Sequence, residues 1–275
     1  MAVVAQTGGD YTNPVTAMNN IAAWCGTPST SNPCLLKVMP GIYDIGTNAL
    51  VMNDYVDFEG SGENSTIIVG NVRVASHMEM RSLTVKANSP VSGANSAITI
   101  YYTAGTVISN VTVTGVWMTT GIQNAGSNAL LRNVTFQGDG GTPCMTNSYG
   151  ASPTIKSSLF VNCGLGIDNQ SSACILENVI MDGSLCYEGV INNNAIVKMT
   201  NVKITASIIG VDSNFGSTTK INNSVIKGGT GSISSGNGTT YVSGSLLEGP
   251  VTGNTICAGV TDKNYVFYPN NCPAQ

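Results

Sequence analysis

The sequence predicts an all-β chain: a single-stranded right-handed parallel β-helix, or solenoid, with a short N-terminal capping helix. Three observations predict it. A short pattern recurs at a step of about 22 residues. A second pattern runs in phase with the first. Between them lie runs of about four strand-forming residues bounded by polar turns, and the repeats carry no helical periodicity.

The first pattern is an aliphatic residue, any residue, then Asn or Ser. It occurs as Met80-Arg81-Ser82, Ile108-Ser109-Asn110, Leu131-Arg132-Asn133 and Ile155-Lys156-Ser157, then as Leu176-Glu177-Asn178, Met199-Thr200-Asn201, Ile221-Asn222-Asn223 and Val242-Ser243-Gly244. From Asn110 onward every step is about 21–24 residues. The step from Ser82 to Asn110 is longer, so that coil carries a longer loop. The second pattern is Gly121-Ile122-Gln123-Asn124, Gly166-Ile167-Asp168-Asn169, Gly189-Val190-Ile191-Asn192 and Gly210-Val211-Asp212-Ser213, each about ten residues after its anchor. A helix-free period of this length fits neither ankyrin nor tetratricopeptide repeats, and the ladder of leucine-rich repeats is absent.

Stacking supplies the physics. Each coil sits about 4.8 Å above the last, so equivalent Ile, Val and Leu form an internal column. Asn110, Asn133, Asn178, Asn201 and Asn223, with Ser157 among them, line up at one turn. Stacked amides there can hydrogen-bond along the axis and satisfy inward-facing turn groups, a structural role rather than a ligand-binding one.

The chain reads as one domain, residues 1–275: an N-terminal cap over 1–34, coils over 35–250 and a C-terminal cap over 251–275. A solenoid must cover its open ends. Asn13 and Pro14 read as N-cap and first helical residue, and Val15, Met18, Ile21, Ala22 and Trp24 give an apolar face, which predicts a helix over 14–24. At the other end Tyr265, Phe267 and Tyr268 read as an aromatic plug.

The eight cysteines form no CxxC pair and His77 is the one histidine, so neither a zinc site nor any other cofactor is implied. An even count points to disulfides and an oxidising compartment: extracellular or cell-surface, with the periplasm also open. Cys25–Cys34 and Cys257–Cys272 are expected to close the two ends. Cys163 and Cys186 each stand three positions before a motif glycine, which predicts their contact in adjacent coils. Cys144 and Cys174 are the remaining pair.

Composition excludes several functions. Charged residues are 9% against 42% hydrophobic, so the chain is ordered but poor in charged helical faces. Eleven Lys and Arg spread over the length form no basic stripe, which argues against nucleic acid. No apolar run approaches the ~18 residues of a membrane span. No secretory signal is visible, and Met1-Ala2 reads as a start placed on a mature chain.

The N-terminal quarter of the chain resembles the N-terminal part of pectinesterases, in the wider pectin-lyase-like superfamily. The resemblance rests on Gly8-Gly9-Asp10-Tyr11-Thr12, the Ala17 to Ala23 helix, Pro40-Gly41-Ile42-Tyr43 and Glu59-Gly60-Ser61-Gly62-Glu63-Asn64-Ser65-Thr66-Ile67-Ile68. It implies the entrance to a β-helix. The family's catalytic segments have no counterpart: no Gly-Thr-Val-Asp-Phe, no Gln-Asp pair, no Leu-Gly-Arg-Pro-Trp. The Asp-rich pattern with His-Gly of polygalacturonases is also missing, since Met78 follows His77. Pectate lyases use calcium-binding carboxylates and an arginine base, but Arg73, Arg81 and Arg132 have no Asp cluster beside them in sequence.

The remaining catalytic candidates are Asp168 and Asp212, at equivalent outward positions of two coils. Ile191 holds the coil between, which puts the pair about 10 Å apart, slightly beyond the reach of paired carboxylates in glycoside hydrolysis. Glu188 is placed at a turn. Asp54, Asp57, Glu59 and Glu63 read as a solvated acidic face. The sequence therefore favours a non-catalytic extracellular β-helix, a surface, adhesin-like or fibre-associated module with polysaccharide or cell-surface glycan as partner. The alternatives are a polysaccharide-active lyase or hydrolase with an unfamiliar site, and a self-associating filament or spike subunit.

Overall fold

Three inward columns of apolar side chains run the length of the chain and explain its shape. The structure, a computed structural model, describes residues 1–47, 49–88, 96–115, 119–183 and 185–273. It is a parallel β-solenoid of about 9 turns, right-handed as expected for parallel crossovers. Each coil adds a strand to each of three parallel sheets, A, B and C.

The coil from Val107 shows the plan. The strand Val107–Thr114 bends at Asn110, its first half lying in sheet A and its second in sheet B; Thr120–Ala125 then lies in sheet C. In sheet A, Ile108 pairs with Met80 on one side and Leu131 on the other. In sheet B, Phe136 lies between Val113 and Phe160, and the two Phe rings stack with centroids 4.1 Å apart. In sheet C, Ile98, Ile122, Met145, Ile167, Val190, Val211 and Ile233 succeed one another in register. All of these are buried, and full burial of such a side chain contributes about 1.5–3 kcal/mol.

The recurring Asn column stacks as expected but faces solvent, not the interior. Asn110, Asn133, Asn178, Asn201 and Asn223 have φ of 47 to 55° and exposed side chains. They stand at the A–B corner because Asn tolerates the left-handed conformation that turns the chain there. Asn133 Nδ2 donates to Asn110 Oδ1 at 3.2 Å, and Asn201 to Asn178 at 3.2 Å.

The inward amides are those of the second motif, whose four positions each have a separate cause. The fourth is a buried ladder: Asn124 Nδ2 donates to Asn147 Oδ1 (3.1 Å), Asn147 to Asn169 (2.9 Å), Asn169 to Asn192 (2.9 Å) and Asn192 to the Thr219 hydroxyl (2.9 Å). Ser213, Thr219, Thr240 and Ser235 carry the network on toward the C-terminus. It begins at Asn124, whose Oδ1 has no partner because Ile100 stands in the next coil. The second position is the sheet C core column and the third points outward. The first is glycine because a Cβ there would strike the next coil: 2.4 Å from Gly189 O at Gly166, and 2.5 Å from Gly210 O at Gly189.

Several expectations need correction. The capping helix is broken: α1 spans Pro14–Asn19 and α2 Ile21–Trp24. Asn13 accepts from the Val15 N–H at 2.8 Å as an N-cap, but Asn20 turns its amide onto the Thr16 carbonyl at 2.8 Å and leaves helical geometry. Strands of the stack also extend into both segments read as caps, from Ala2–Val4 to Val260–Asp262. There Phe267–Tyr268 closes sheet B by pairing antiparallel with Val260–Asp262. Tyr265 and Phe267 are exposed and plug nothing; Tyr268 packs against the core and its hydroxyl donates to Asp262.

Cys25–Cys34 and Cys257–Cys272 are bonded. Cys163 bonds Cys144, not Cys186, with Cα atoms 5.5 Å apart. Cys144 lies in the sheet C strand Pro143–Ser148 and Cys163 in the turn leading to the next, so the bond staples adjacent coils. Cys174 sits in sheet A, away from Cys144, and is a free buried thiol, as is Cys186. Burial pushes Cys174 up to about 12; burial, Asp182 and Glu188 push Cys186 up to about 11, so neither is a reactive thiolate.

Candidate functional site

The outward faces of sheets A and C differ in kind. Sheet A carries a charge network that uses up its own members. Arg81 bonds Glu59 (2.6 Å), Asp57 (3.1 Å) and Glu79 (3.3 Å); Lys37 pairs with Glu59, and Arg132 with Glu79 at 2.9 Å. The Lys37 hydrogen bond, against burial and with help from Arg81, holds Glu59 below the usual carboxylate range. Asp54 accepts from the Ser76 N–H, and Glu63 accepts from the Thr112 hydroxyl. The acidic face expected over residues 54–63 is thus committed internally. Arg81 meets Glu79 two residues away in its own strand, and stacking brings it to Asp57 and Glu59 and brings Arg132 to Glu79. His77 stacks its ring on Tyr55, centroids 4.9 Å apart.

Beyond Arg73, which pairs with Thr99 at the N-terminal end, sheet C presents carboxylates without cations at its described outward positions. Its central outward column runs Thr99, Gln123, Thr146, Asp168, Ile191, Asp212, Ser234. Asp168 and Asp212 each pair with Ile191, which fixes them two coil spacings apart, about 10 Å. The two have the same local setting. Gln170 Nε2 donates to Asp168 Oδ2 at 2.7 Å, and Asn214 Nδ2 to Asp212 Oδ2 at 2.7 Å; each Oδ1 is buried without a hydrogen-bond partner. Burial pushes the Asp168 carboxyl up, partly offset by Gln170.

Glu188 is a third member that sequence reasoning missed. It is the first residue of the strand Glu188–Asn193, not part of a turn, and is in register with Leu165 and Ile209. Burial raises its carboxyl above the ordinary range, and the negative charges of Asp212 and Asp168 raise it further. The signal was available, because the residue before each motif glycine opens the strand. Two acids pushed up by burial, Glu188 by like charge as well, mark a site held at a cost.

That cost can be measured. A carboxyl raised in the folded state binds its proton more tightly there than in the unfolded chain. Its stabilising effect is full below the unfolded value, 3.8 for Asp, and is lost as pH rises through the raised value. Asp168→Asn keeps the shape and removes the charge, so at pH 7 it should raise stability by about 1 kcal/mol and flatten the pH dependence between about 4 and 7. Urea unfolding at pH 4 and pH 7 reads both; destabilisation at pH 7 would contradict the assignment.

Beside the carboxylates lies a groove of about 550 Å³ lined by Thr120, Gln123, Thr146, Ser148, Tyr149, Gln170 and Ser171. Gln170 joins it to Asp168. Among the described residues, no Lys or Arg stands in the outward columns of sheet C from Thr99 to Ser234. The groove is therefore polar, uncharged in its lining and acidic at one end.

No family model matches this chain, and no curated protein matches it in sequence. Solved structures match its fold. The A-module of a mannuronan C-5 epimerase from Azotobacter vinelandii superposes with a TM-score of 0.61 at 15% identity, over 91% of this chain and 76% of that one. The catalytic domain of a GH87 alpha-1,3-glucanase in complex with nigerose gives 0.57 at 12% identity, over 94% and 64%. The Dettilon tailspike protein gives 0.53 at 12%, over 92% and 63%. The chain thus spans a little under two thirds of the last two. At these identities the likeness is one of fold.

Proposed function

We propose that this protein is an extracellular β-helix that binds a neutral polysaccharide along sheet C without cleaving it. The observation that carries the reading is the cation-free polar groove of Gln123, Thr146, Ser148 and Gln170 running onto Asp168. Amide and hydroxyl side chains both donate to and accept from sugar hydroxyls. Asp168 and Asp212 each accept one hydrogen bond at Oδ2, from their own coil, and that oxygen, unlike the buried Oδ1, keeps a second lone pair for a ligand. Asp168, Glu188 and Asp212 repel a uronate chain, so the acidic end selects against anionic glycans. The disulfides support a location outside the reducing cytosol. The neighbours in structure include an epimerase of mannuronan, an alpha-1,3-glucanase and a tailspike protein, company that fits a glycan ligand.

A hydrolytic reading is favoured by Glu188, whose raised carboxyl could carry the proton a leaving glycosidic oxygen requires, with an ionised Asp taking a proton from the attacking water. The spacing of Asp168 and Asp212, with Ile191 between, weighs for binding alone. Calorimetric titration of neutral glucan, mannan and xylan hexasaccharides against oligogalacturonate and oligomannuronate decides the ligand class. A neutral chain should bind at least about tenfold more tightly than the acidic ones, and Gln170→Ala should cost about tenfold, the equivalent of one lost hydrogen bond. Preference for an acidic chain would defeat the reading. New reducing ends in the same mixtures, lost in Glu188→Gln, would replace binding with hydrolysis.

A further inference from the structure

The C–A corner of the solenoid repeats a left-handed residue, two positions after the register of the buried ladder, which Ile100 occupies in the first of these coils. In successive coils it is Tyr102, Gly126, Tyr149, Ser171, Asn194 and Phe215, with φ of 49, 64, 54, 47, 52 and 49°. Gly, Asn and Ser suit such a turn. A bulky aromatic does not, and it strains the backbone wherever it stands there. Burial offers no compensation: Tyr102, Tyr149 and Phe215 are 71%, 74% and 69% exposed. Gly126, Ser171 and Asn194 fill the same turn, so the fold does not require aromatic rings. Yet room is made for one of them. A Cβ on Gly126 would lie 2.4 Å from the Tyr102 ring, which therefore reaches over the next coil. Tyr149 forms a wall of the polar groove.

We infer that Tyr102, Tyr149 and Phe215 are stacking platforms for the pyranose rings of a neutral polysaccharide lying parallel to the solenoid axis. This rests on the ligand class proposed above and adds the binding residues and the direction of the chain. A sugar ring offers an apolar C–H face to an aromatic ring and its hydroxyls to the groove beside it, and a flat exposed aromatic supplies contact at little entropic cost. Tyr102 and Tyr149 are two coils apart, about 10 Å, and Tyr149 and Phe215 three coils, about 14 Å. A chain across the coils meets the first two, whereas a disaccharide meets one.

Tyr149→Asn, Tyr102→Asn and Tyr149→Phe test this by titration with the neutral glucan, mannan and xylan di- and hexasaccharides and by thermal melting. Asn accepts the turn, so each Asn variant should melt about 2 °C or more above the parent. Each should also lose about tenfold in hexasaccharide affinity, while Tyr149→Phe keeps it. In the parent the hexasaccharide should bind far better than the disaccharide. If the parent binds a hexasaccharide and the double Asn variant binds it equally well, the platforms are wrong and the groove reading stands. Lower melting temperatures for the Asn variants would make the rings structural. A parent that binds no neutral hexasaccharide defeats both.

Discussion

Asn169→Leu should destabilise the fold by several kcal/mol, although Leu has nearly the right volume for the core. The cost lies in the neighbours. Asn147 Nδ2 loses its acceptor and Asn192 Oδ1 loses its donor, both 2.9 Å from Asn169 and both fully buried. Each of these two orphaned groups costs about 1–3 kcal/mol. Asn178→Gly is the matched control. Asn178 also belongs to an Asn column, but an exposed one, and Gly adopts its φ of 55° freely. It should cost less than about 1 kcal/mol. Urea unfolding of both variants checks the contrast; equal losses would show that the inner ladder is not a cooperative network.

That contrast also measures what was legible in the sequence. Period, phase and outward register were all readable, because a coil must return to the same place and periodicity encodes that return. Asp168, Ile191 and Asp212 stack as the spacing implied. The inside and outside of the Asn columns were not readable from type alone. Asn serves equally well as a left-handed turn residue at Asn178 and as a buried ladder amide at Asn169. Cys163 has Cys144 and Cys186 in neighbouring coils on either side, and a repeat cannot say which way a side chain turns along the axis. Glu188 escaped because its strand begins one residue before the glycine taken as its start. Tyr102, Tyr149 and Phe215 escaped because their strain is a dihedral property, although each stands two positions after the ladder register (Ile100, Asn147 and Ser213), in phase with the repeat.

The glycine that opens the motif carries the second large effect. Gly189→Ala adds one methyl, yet that Cβ would lie 2.4 Å from Ile204 Cγ2 and 2.5 Å from the Gly210 carbonyl oxygen. Ile204 is a fully buried member of the sheet B column and Gly210 O is backbone, so neither yields easily. A loss of about 3 kcal/mol is expected, at the upper end of overpacking. Ile204→Ala should not rescue it. Shortening Ile204 removes the first clash but leaves the carbonyl, and its own cavity costs about 2–5 kcal/mol. The double variant should therefore unfold more easily than Gly189→Ala alone, with only partial coupling between the two sites. Gly231→Ala separates crowding from glycine chemistry in general. Gly231 pairs with Ile209, and its nearest neighbour to an added Cβ is 3.6 Å away, an ordinary contact, with no left-handed backbone to oppose it. It should be neutral or gain up to about 1 kcal/mol from the stiffer unfolded chain. The displaced strand in Gly189→Ala also begins with Glu188, so the carboxyl held between Asp168 and Asp212 must shift with it. Weaker glycan binding by Gly189→Ala, with binding by Gly231→Ala unchanged, would tie the packing of this one glycine to the site it supports.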